Sequence, residues 1–358
     1  MTPKERLLAV IKGKNVDRVP WSPFLAYYWE AQPKEIQKAG QLAFYEAIGA
    51  DPLFRGSHLL FKKNIRRCQT YEKVSGNEKR IIYETPVGNL YLKYVLTEAT
   101  NSWFLVEHPV KTKEDFKILT FINENMDLIP DFEGFIQEYA NVGERGLILP
   151  VIGPDVKTSF QSLIEHWVGT EELVYALADY PDIVEETLHA MRKNAIASTK
   201  ISVHAPAEAY IFFEDSSTTN ISPGYFEKYS LPEISEWVEI IHKESKYLIH
   251  HACGHIKDLL SLMAKSGIDM IESISPPPTG NIELWEARKM LPENIGLIGG
   301  IEPTVFLNSS LKQLEEYVYK LLSKMKGTRY ILANSDSCPP GVELEKFRLV
   351  TSLVRNCM

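Results

Sequence analysis

Three side chains in this sequence have the type and placement to hold a soft divalent cation: His251, Cys253 and Cys338. His251 and Cys253 stand two residues apart in His250-His251-Ala252-Cys253-Gly254-His255, at the end of an apolar run. Residues i and i+2 of an extended segment point to the same side, so both can reach one ion. Cys338 follows another apolar run, in Asn334-Ser335-Asp336-Ser337-Cys338-Pro339. One imidazole and two thiolates suit Zn²⁺ and leave a fourth position for a carboxylate or an exchangeable group. The competing reading is that both cysteines are small buried hydrophobes. His204, His250 and His255 read as hydrogen-bonding or surface residues. Cys68 and Cys357 show no partner pattern.

Glu272 lies inside the apolar run Met270-Ile271-Glu272-Ser273-Ile274. A carboxylate buried there needs a cation, a hydrogen-bond donor or a proton. A metal would meet that need, and so would neighbouring backbone. Glu214-Asp215, after Tyr210–Phe213, poses the same problem. Asp215, Asn220, Glu302 and Asn334 are expected to orient substrate or the second nitrogen of a ligating histidine.

A frame must bring these residues together. Short apolar segments at 19–25, 51–56, 146–152, 208–213, 246–250, 269–273, 295–299 and 329–333 read as strands, nearly all followed by helices. From 146 onward they are continuous apolar runs, as in a parallel sheet covered on both faces. The count predicts an α/β fold, a (β/α)₈ TIM barrel with its site at the C-terminal ends of the strands. Residues 1–358 read as one such domain. An inserted β-meander lengthens its N-terminal third at about 63–110, where 80–86, 89–97 and 102–107 are β-like. A doubly wound sheet is the alternative, but no Gly-rich dinucleotide or phosphate loop supports it. Thr2, Pro3 and Glu5 mark the start of a first helix.

The net charge of -8 speaks against nucleic acid or a membrane surface as partner. A polyanionic substrate would need a dedicated basic pocket. Four cysteines in 358 residues do not make a disulfide framework. With no signal-like segment and no apolar run of spanning length, a cytoplasmic location is expected.

The segments MTPKERLLAVIKGKNVDRVP, FEDSSTTNISPGYFEKYSLPE, IHHACGHIKDLLSLMAKSGIDMIE and IGLIGGIEPTVF together resemble the uroporphyrinogen decarboxylase (URO-D) superfamily. The resemblance runs nearly the whole length and implies a (β/α)₈ barrel. Decarboxylases of this superfamily carry an arginine-rich segment after the first strand and an aspartate after the second. Here the first strand continues as WSPFLAYYWEAQP, without arginine, and His58 falls near the aspartate's place. His251, Cys253 and the distant Cys338 are similar to the zinc site of the corrinoid-dependent methyltransferase branch. Cobalamin-independent methionine synthase, a distant relative, adds a glutamate between these elements. That implies Glu272 as a fourth ligand, catalytic by leaving the metal when substrate arrives.

The implied cofactors are Zn²⁺ and a corrinoid (cobalamin) carried by a partner protein. The implied reaction moves a methyl group between a small methyl donor and that corrinoid protein. The run ESISPPPTG looks like that of enzymes acting on methyl ethers, so O-demethylation of an aromatic methyl ether is preferred. The alternatives are a decarboxylase, a methylcorrinoid:thiol methyltransferase, and a non-catalytic tetrapyrrole-binding barrel with a structural zinc. Tyr27, Tyr28, Trp29 and the insertion are expected to line the corrinoid's approach, with Tyr27 and Trp29 as candidate substrate contacts. Packing in the core is the other use for these aromatics.

Overall fold

The computed structural model describes residues 1–98 and 101–356. Cys357 and positions 99–100 of the expected insertion lie outside the described residues. Its strands, in chain order, are β1 (Leu53–Leu59), β2 (Phe61–Ile65), β3 (Gln69–Ser75), β4 (Glu78–Thr85), β5 (Gly88–Thr97), β6 (Ser102–Glu107), β7 (Met126–Pro130), β8 (Leu147–Val151), β9 (Ala209–Glu214), β10 (Tyr247–Ala252), β11 (Met270–Ile274), β12 (Gly296–Ile301) and β13 (Tyr330–Asn334). A curled parallel sheet runs β1-β8-β9-β10-β11-β12-β13.

Among the described residues this sheet has seven strands, where eight were expected. The missing one is 19–25. It carries Pro20 and Pro23, which have no N–H to give a ladder. What remains is a single parallel bridge between Trp21 and Leu332. The Ser22 N–H donates to the Leu332 carbonyl at 2.9 Å, and the Asp51 N–H donates to the Trp21 carbonyl at 2.7 Å. The stretch thus touches both β13 and the chain entering β1. Asp51 pins it, accepting from the Trp21 N–H (3.0 Å), Arg6 (2.6 Å) and Arg18 (2.7 Å).

Alternation along the strands divides the core in two. Inward residues Leu53, Leu149, Ile211, Ile249, Met270, Ile298 and Ile331 form one cluster with Leu7, Val10 and Ile11 of the helix Pro3–Ile11. That helix carries the expected capping box at Thr2 and Glu5 and closes the N-terminal end of the sheet. Outward residues Tyr210, Phe212, Leu248, Leu297 and Leu332 pack with Trp237, Leu314, Val318 and Phe347 from the helices Leu231–Lys243, Leu311–Lys324 and Leu344–Asn356. Each fully buried Leu, Ile or Phe contributes about 1.5–3 kcal/mol. A slip of one residue would turn each strand inside out, so the parity of β10 is well fixed: His251 faces in and His250 faces out.

Between β1 and β8 the chain leaves the parallel pattern. β3-β4-β5-β6 is a four-stranded antiparallel sheet in sequential order. Leu90 and Leu92 of β5 are buried, and Ile118 of the helix Lys113–Glu124 lies under Gly88. β2 and β7 form a separate antiparallel pair, so the departure extends to Pro130 rather than ending near 110. Before β1 the chain forms two short helices, Lys34–Lys38 and Gly40–Ile48, broken where Gly40 takes φ of 81°.

Candidate metal centre in the strand mouth

β10 delivers His251 inward and ends at Ala252. Cys253 follows, its N–H donating to the Glu214 carbonyl at 3.1 Å. Gly254 then turns at φ of 86°, and a Cβ there would sit 2.5 Å from the Ser217 Cβ. Only glycine allows both the left-handed turn and the close approach. The turn leaves Cys253 at the strand end, beside His251.

One imidazole face lies near Phe213, with ring centroids 4.8 Å apart, and Phe24 meets the ring edge-on at 5.6 Å. Nδ1 is 3.1 Å from Glu272 Oε2. An ionised carboxylate only accepts, so Nδ1 donates to it and Nε2 is the nitrogen left to face an ion. Nε2 looks toward Asp336 Oδ1 at 3.9 Å. The ligand atoms of His251, Cys253 and Asp336 all lie within 4.8 Å of one another. An imidazole, a sulfur and a carboxylate at this spacing can hold a divalent cation of the zinc type.

Glu272 does not join this group. It was expected as the fourth ligand and as the catalytic carboxylate. Instead, Arg55 Nε donates to Oε1 and His251 takes Oε2. Arg55 and Glu272 are both buried, and Arg55 also donates to the carbonyls of Leu53 and Ser22, each at 3.1 Å. Burial alone would raise the Glu272 pKa, but Arg55 and His251 outweigh it and hold the carboxyl below its usual range. In this geometry both Glu272 oxygens are taken, one by Arg55 and one by His251.

Cys338 is displaced from expectation as well. Its N–H donates to the Phe24 carbonyl at 2.7 Å, and its side chain is fully buried, with Sγ 3.8 Å from the Pro339 carbonyl. Burial pushes this thiol up. Asp336, two residues earlier on the same loop, supplies the third atom of the group. The Cys253 thiol is also pushed up, first by burial, then by Asp336, Asp215 and Glu165. A divalent cation would reverse that balance and favour the thiolate.

A cavity of about 330 Å³ opens beside Cys253 and Asp336, and Asp215 lines it. Asp215 Oδ2 accepts from Asn220 Nδ2 at 2.7 Å, which places both sequence candidates at the mouth. Burial, then Glu165, pushes the Asp215 carboxyl up. Tyr27 is at the rim, its N–H donating to Ser337 Oγ at 2.8 Å. Trp29 instead packs on Phe44, with centroids 6.0 Å apart, and lines a different cavity of about 630 Å³. Tyr28 is core.

Glu302 and Asn334 do not line the cavity beside Cys253. Glu302 is the N-cap of the helix Pro303–Asn308, accepting the Val305 N–H at 2.8 Å and the Thr279 hydroxyl at 3.2 Å. Asn334 is buried on the outward parity of β13. Beside the cavity, Ser273 holds φ of 84°, an uncommon conformation for a residue with a side chain, while its hydroxyl donates to the Ser335 carbonyl.

Set against known proteins, this frame has a clear affiliation. The sequence model of the family described as uroporphyrinogen decarboxylase (URO-D) matches residues 157–357, which hold β9 through β13 and every residue of the candidate centre. The chain belongs to the URO-D family. It is 20% identical to a uroporphyrinogen decarboxylase of Prochlorococcus marinus over 278 residues, 76% of each chain. It is 24% identical to the methylcobamide:CoM methyltransferase MtbA of Methanosarcina mazei over 361 residues, 96% of each. A methyltransferase from Methanosarcina mazei shares the fold with a TM-score of 0.66, covering 100% of this chain and 99% of that one at 14% identity. This URO-D family member has no helix, among its described residues, long and apolar enough to cross a membrane.

Proposed function

We propose that this chain is a corrinoid-dependent methyltransferase, moving a methyl group between a small methyl donor and a corrinoid carried by a partner protein. The observation that carries the reading is the convergence of His251, Cys253 and Asp336 at the C-terminal ends of the strands. The alignment with a methylcobamide:CoM methyltransferase over nearly the whole of both chains supports it.

The residues fit zinc. His251 through Nε2 and the Cys253 sulfur would hold it, with a third donor from the loop after β13. That donor is Asp336 as the loop stands; Cys338, the thiolate the sequence suggests, is two residues along. When bound, zinc supplies a Lewis acid for a departing oxygen and lowers the pKa of a thiol. The protein groups do the rest. Glu272, fixed by Arg55, holds the His251 Nδ1–H and so sets tautomer and ring orientation. Phe24 and Phe213 supply aromatic faces next to His251, and Tyr27 stands at the rim. Demethylation of an aromatic methyl ether is the preferred direction, as the run ESISPPPTG suggests. Residues 1–358 act as one domain in this reading. The antiparallel sheet after β2 contributes to the approach of the corrinoid.

The family's eponymous activity is the second reading. A substrate bearing many carboxylates needs unpaired cations. Here Arg55 is paired with Glu272, Lys157 with Glu165 and Lys63 with Asp155, and among the described residues no lysine or arginine lines the cavity beside Cys253. The test is direct. Metal analysis should give about one zinc per chain, and a panel of methyl donors should convert free cob(I)alamin to its methylated form, followed by its spectrum. Full activity in metal-stripped protein, or no transfer from any donor, refutes the proposal.

A further inference from the structure

We propose that the cavity beside Cys253 selects methyl donors that are neutral or positively charged and rejects those bearing a carboxylate or sulfonate, with Asp215 as the specificity-determining residue. The inference rests on the mouth being the methyl-donor site.

The lining of this cavity is hydroxyl-rich and acidic. Its hydroxyl donors are largely spent on one another. Thr219 Oγ1 donates to Ser217 Oγ at 2.8 Å, Ser275 Oγ and Thr279 Oγ1 are 2.7 Å apart, and Ser217 Oγ also accepts the His255 N–H at 3.1 Å. The charged groups facing a ligand are the two carboxylates, Asp215 and Asp336, beside the His255 imidazole and the Ser217 and Ser335 hydroxyls. Asp336 takes the Ser337 N–H at 2.6 Å, and Asp215 takes Asn220. Among the described residues, neither is paired with a lysine or arginine, and none lines the cavity.

The balance survives a bound ion. A divalent cation on His251, Cys253 and Asp336 would be neutralised by one thiolate and one carboxylate. Asp215 would then be the uncompensated charge facing the donor. Its neighbour Glu165, which accepts the Asp215 N–H at 2.9 Å, is held by Lys157 at 2.7 Å, so that lysine's charge is already answered. A donor anion close to Asp215 meets like charge in a partly desolvated place, whereas an ammonium or a hydroxyl substituent gains an acceptor.

Three para-substituted methoxybenzenes of nearly equal size test this: para-methoxybenzylamine, para-methoxybenzyl alcohol and para-methoxybenzoate. Calorimetric titration of the metal-loaded protein at pH 8 needs no corrinoid and no turnover. The amine and the alcohol should bind, with the amine at least about tenfold tighter than the benzoate. Asp215→Asn should bring the amine and benzoate to within about threefold of each other, chiefly by weakening the amine. Equal or tighter binding of the benzoate, an order unchanged in Asp215→Asn, or binding by none of the three overturns the inference. The expected order without methyl transfer to cob(I)alamin supports the selectivity and counts against the methyltransferase reading alone.

Discussion

Two adjacent histidines on β10 each meet a buried glutamate, and only one pair belongs to the candidate centre. His250 faces out, stacked on Phe212 at 4.2 Å and 3.1 Å from Glu214 Oε2, with both side chains fully enclosed. Glu214 also accepts from the Thr158 N–H at 2.9 Å, from the Thr158 hydroxyl and from Ser216. His251 faces in, 3.1 Å from Glu272, and its second nitrogen looks into a space it shares with Cys253 and Asp336. A histidine–carboxylate pair is therefore not a site in itself. The outer pair joins the parallel sheet to the helix layer. The inner one has a free nitrogen, a thiol two residues on and an opening to solvent. Strand parity decides which is which.

The sharpest way to break this contrast is to remove each histidine. His251→Ala and Cys253→Ser should each lower zinc from about one per chain to near none by atomic absorption, with methyl transfer falling at least about a thousandfold. The Cys253→Ser apo-protein should melt close to the apo parent and His251→Ala lower, since the latter opens a cavity against Phe24 and Phe213 and takes one donor from Glu272. His250→Ala should do the opposite: metal retained, but stability reduced by about 3 kcal/mol in urea, because it opens a buried cavity against Phe212 and takes one of the donors from a dry carboxylate. Metal loss in His250→Ala would erase the distinction.

Glu272→Gln should weaken zinc binding about 10- to 100-fold in a chelator competition, as expected for a group that acts through a ligating histidine. It should also destabilise the fold, since Arg55 loses its counter-charge. A loss as complete as in Cys253→Ser would instead mark Glu272 as a ligand.

Asp336→Asn and Cys338→Ser, measured side by side, assign the third donor. Asp336→Asn should weaken zinc binding at least about a hundredfold, with Cys338→Ser acting mainly on stability. The reverse ranking would give the position to Cys338.

A smaller effect separates the outer network from the inner one by pH. Glu233 is fully buried behind Glu214, accepts the Ser159 N–H at 3.0 Å, and burial pushes its carboxyl up to about 8. The folded state thus keeps a proton that the unfolded chain releases above about 4.5. Stability from this group is full at low pH and falls as pH rises toward 8. Glu233→Gln should flatten that fall and melt higher than the parent at pH 8, with metal content unchanged.

What the sequence disclosed follows the same physics. β8 to β13 are continuous apolar runs, so they and the inward turn of His251 and Cys253 were legible. β2 and β3 were not, because Lys62, Lys63, Glu72 and Lys73 leave no apolar alternation to see. Arg55 gives no signal in DPLFRGSHLL; only the curl of the sheet brings β1 to face β11. Cys338 is preferred to Asp336 on sequence because a thiolate suits zinc and matches the signature of the family's methyltransferase branch. The burial of Cys338 depends on a bond to Phe24, more than 300 positions away in the chain.

That bond has a kinetic meaning. The seam where Trp21 meets Leu332 and Phe24 meets Cys338 joins residues of very large sequence separation, and such contacts bear the greatest loop-closure cost and form late. His251 and Cys253 come from the body of the sheet, whereas the loop with Asp336 is fastened by the seam. During refolding, two of the three donors should assemble early and the third with the last closure, so high-affinity zinc capture should follow the slowest refolding phase.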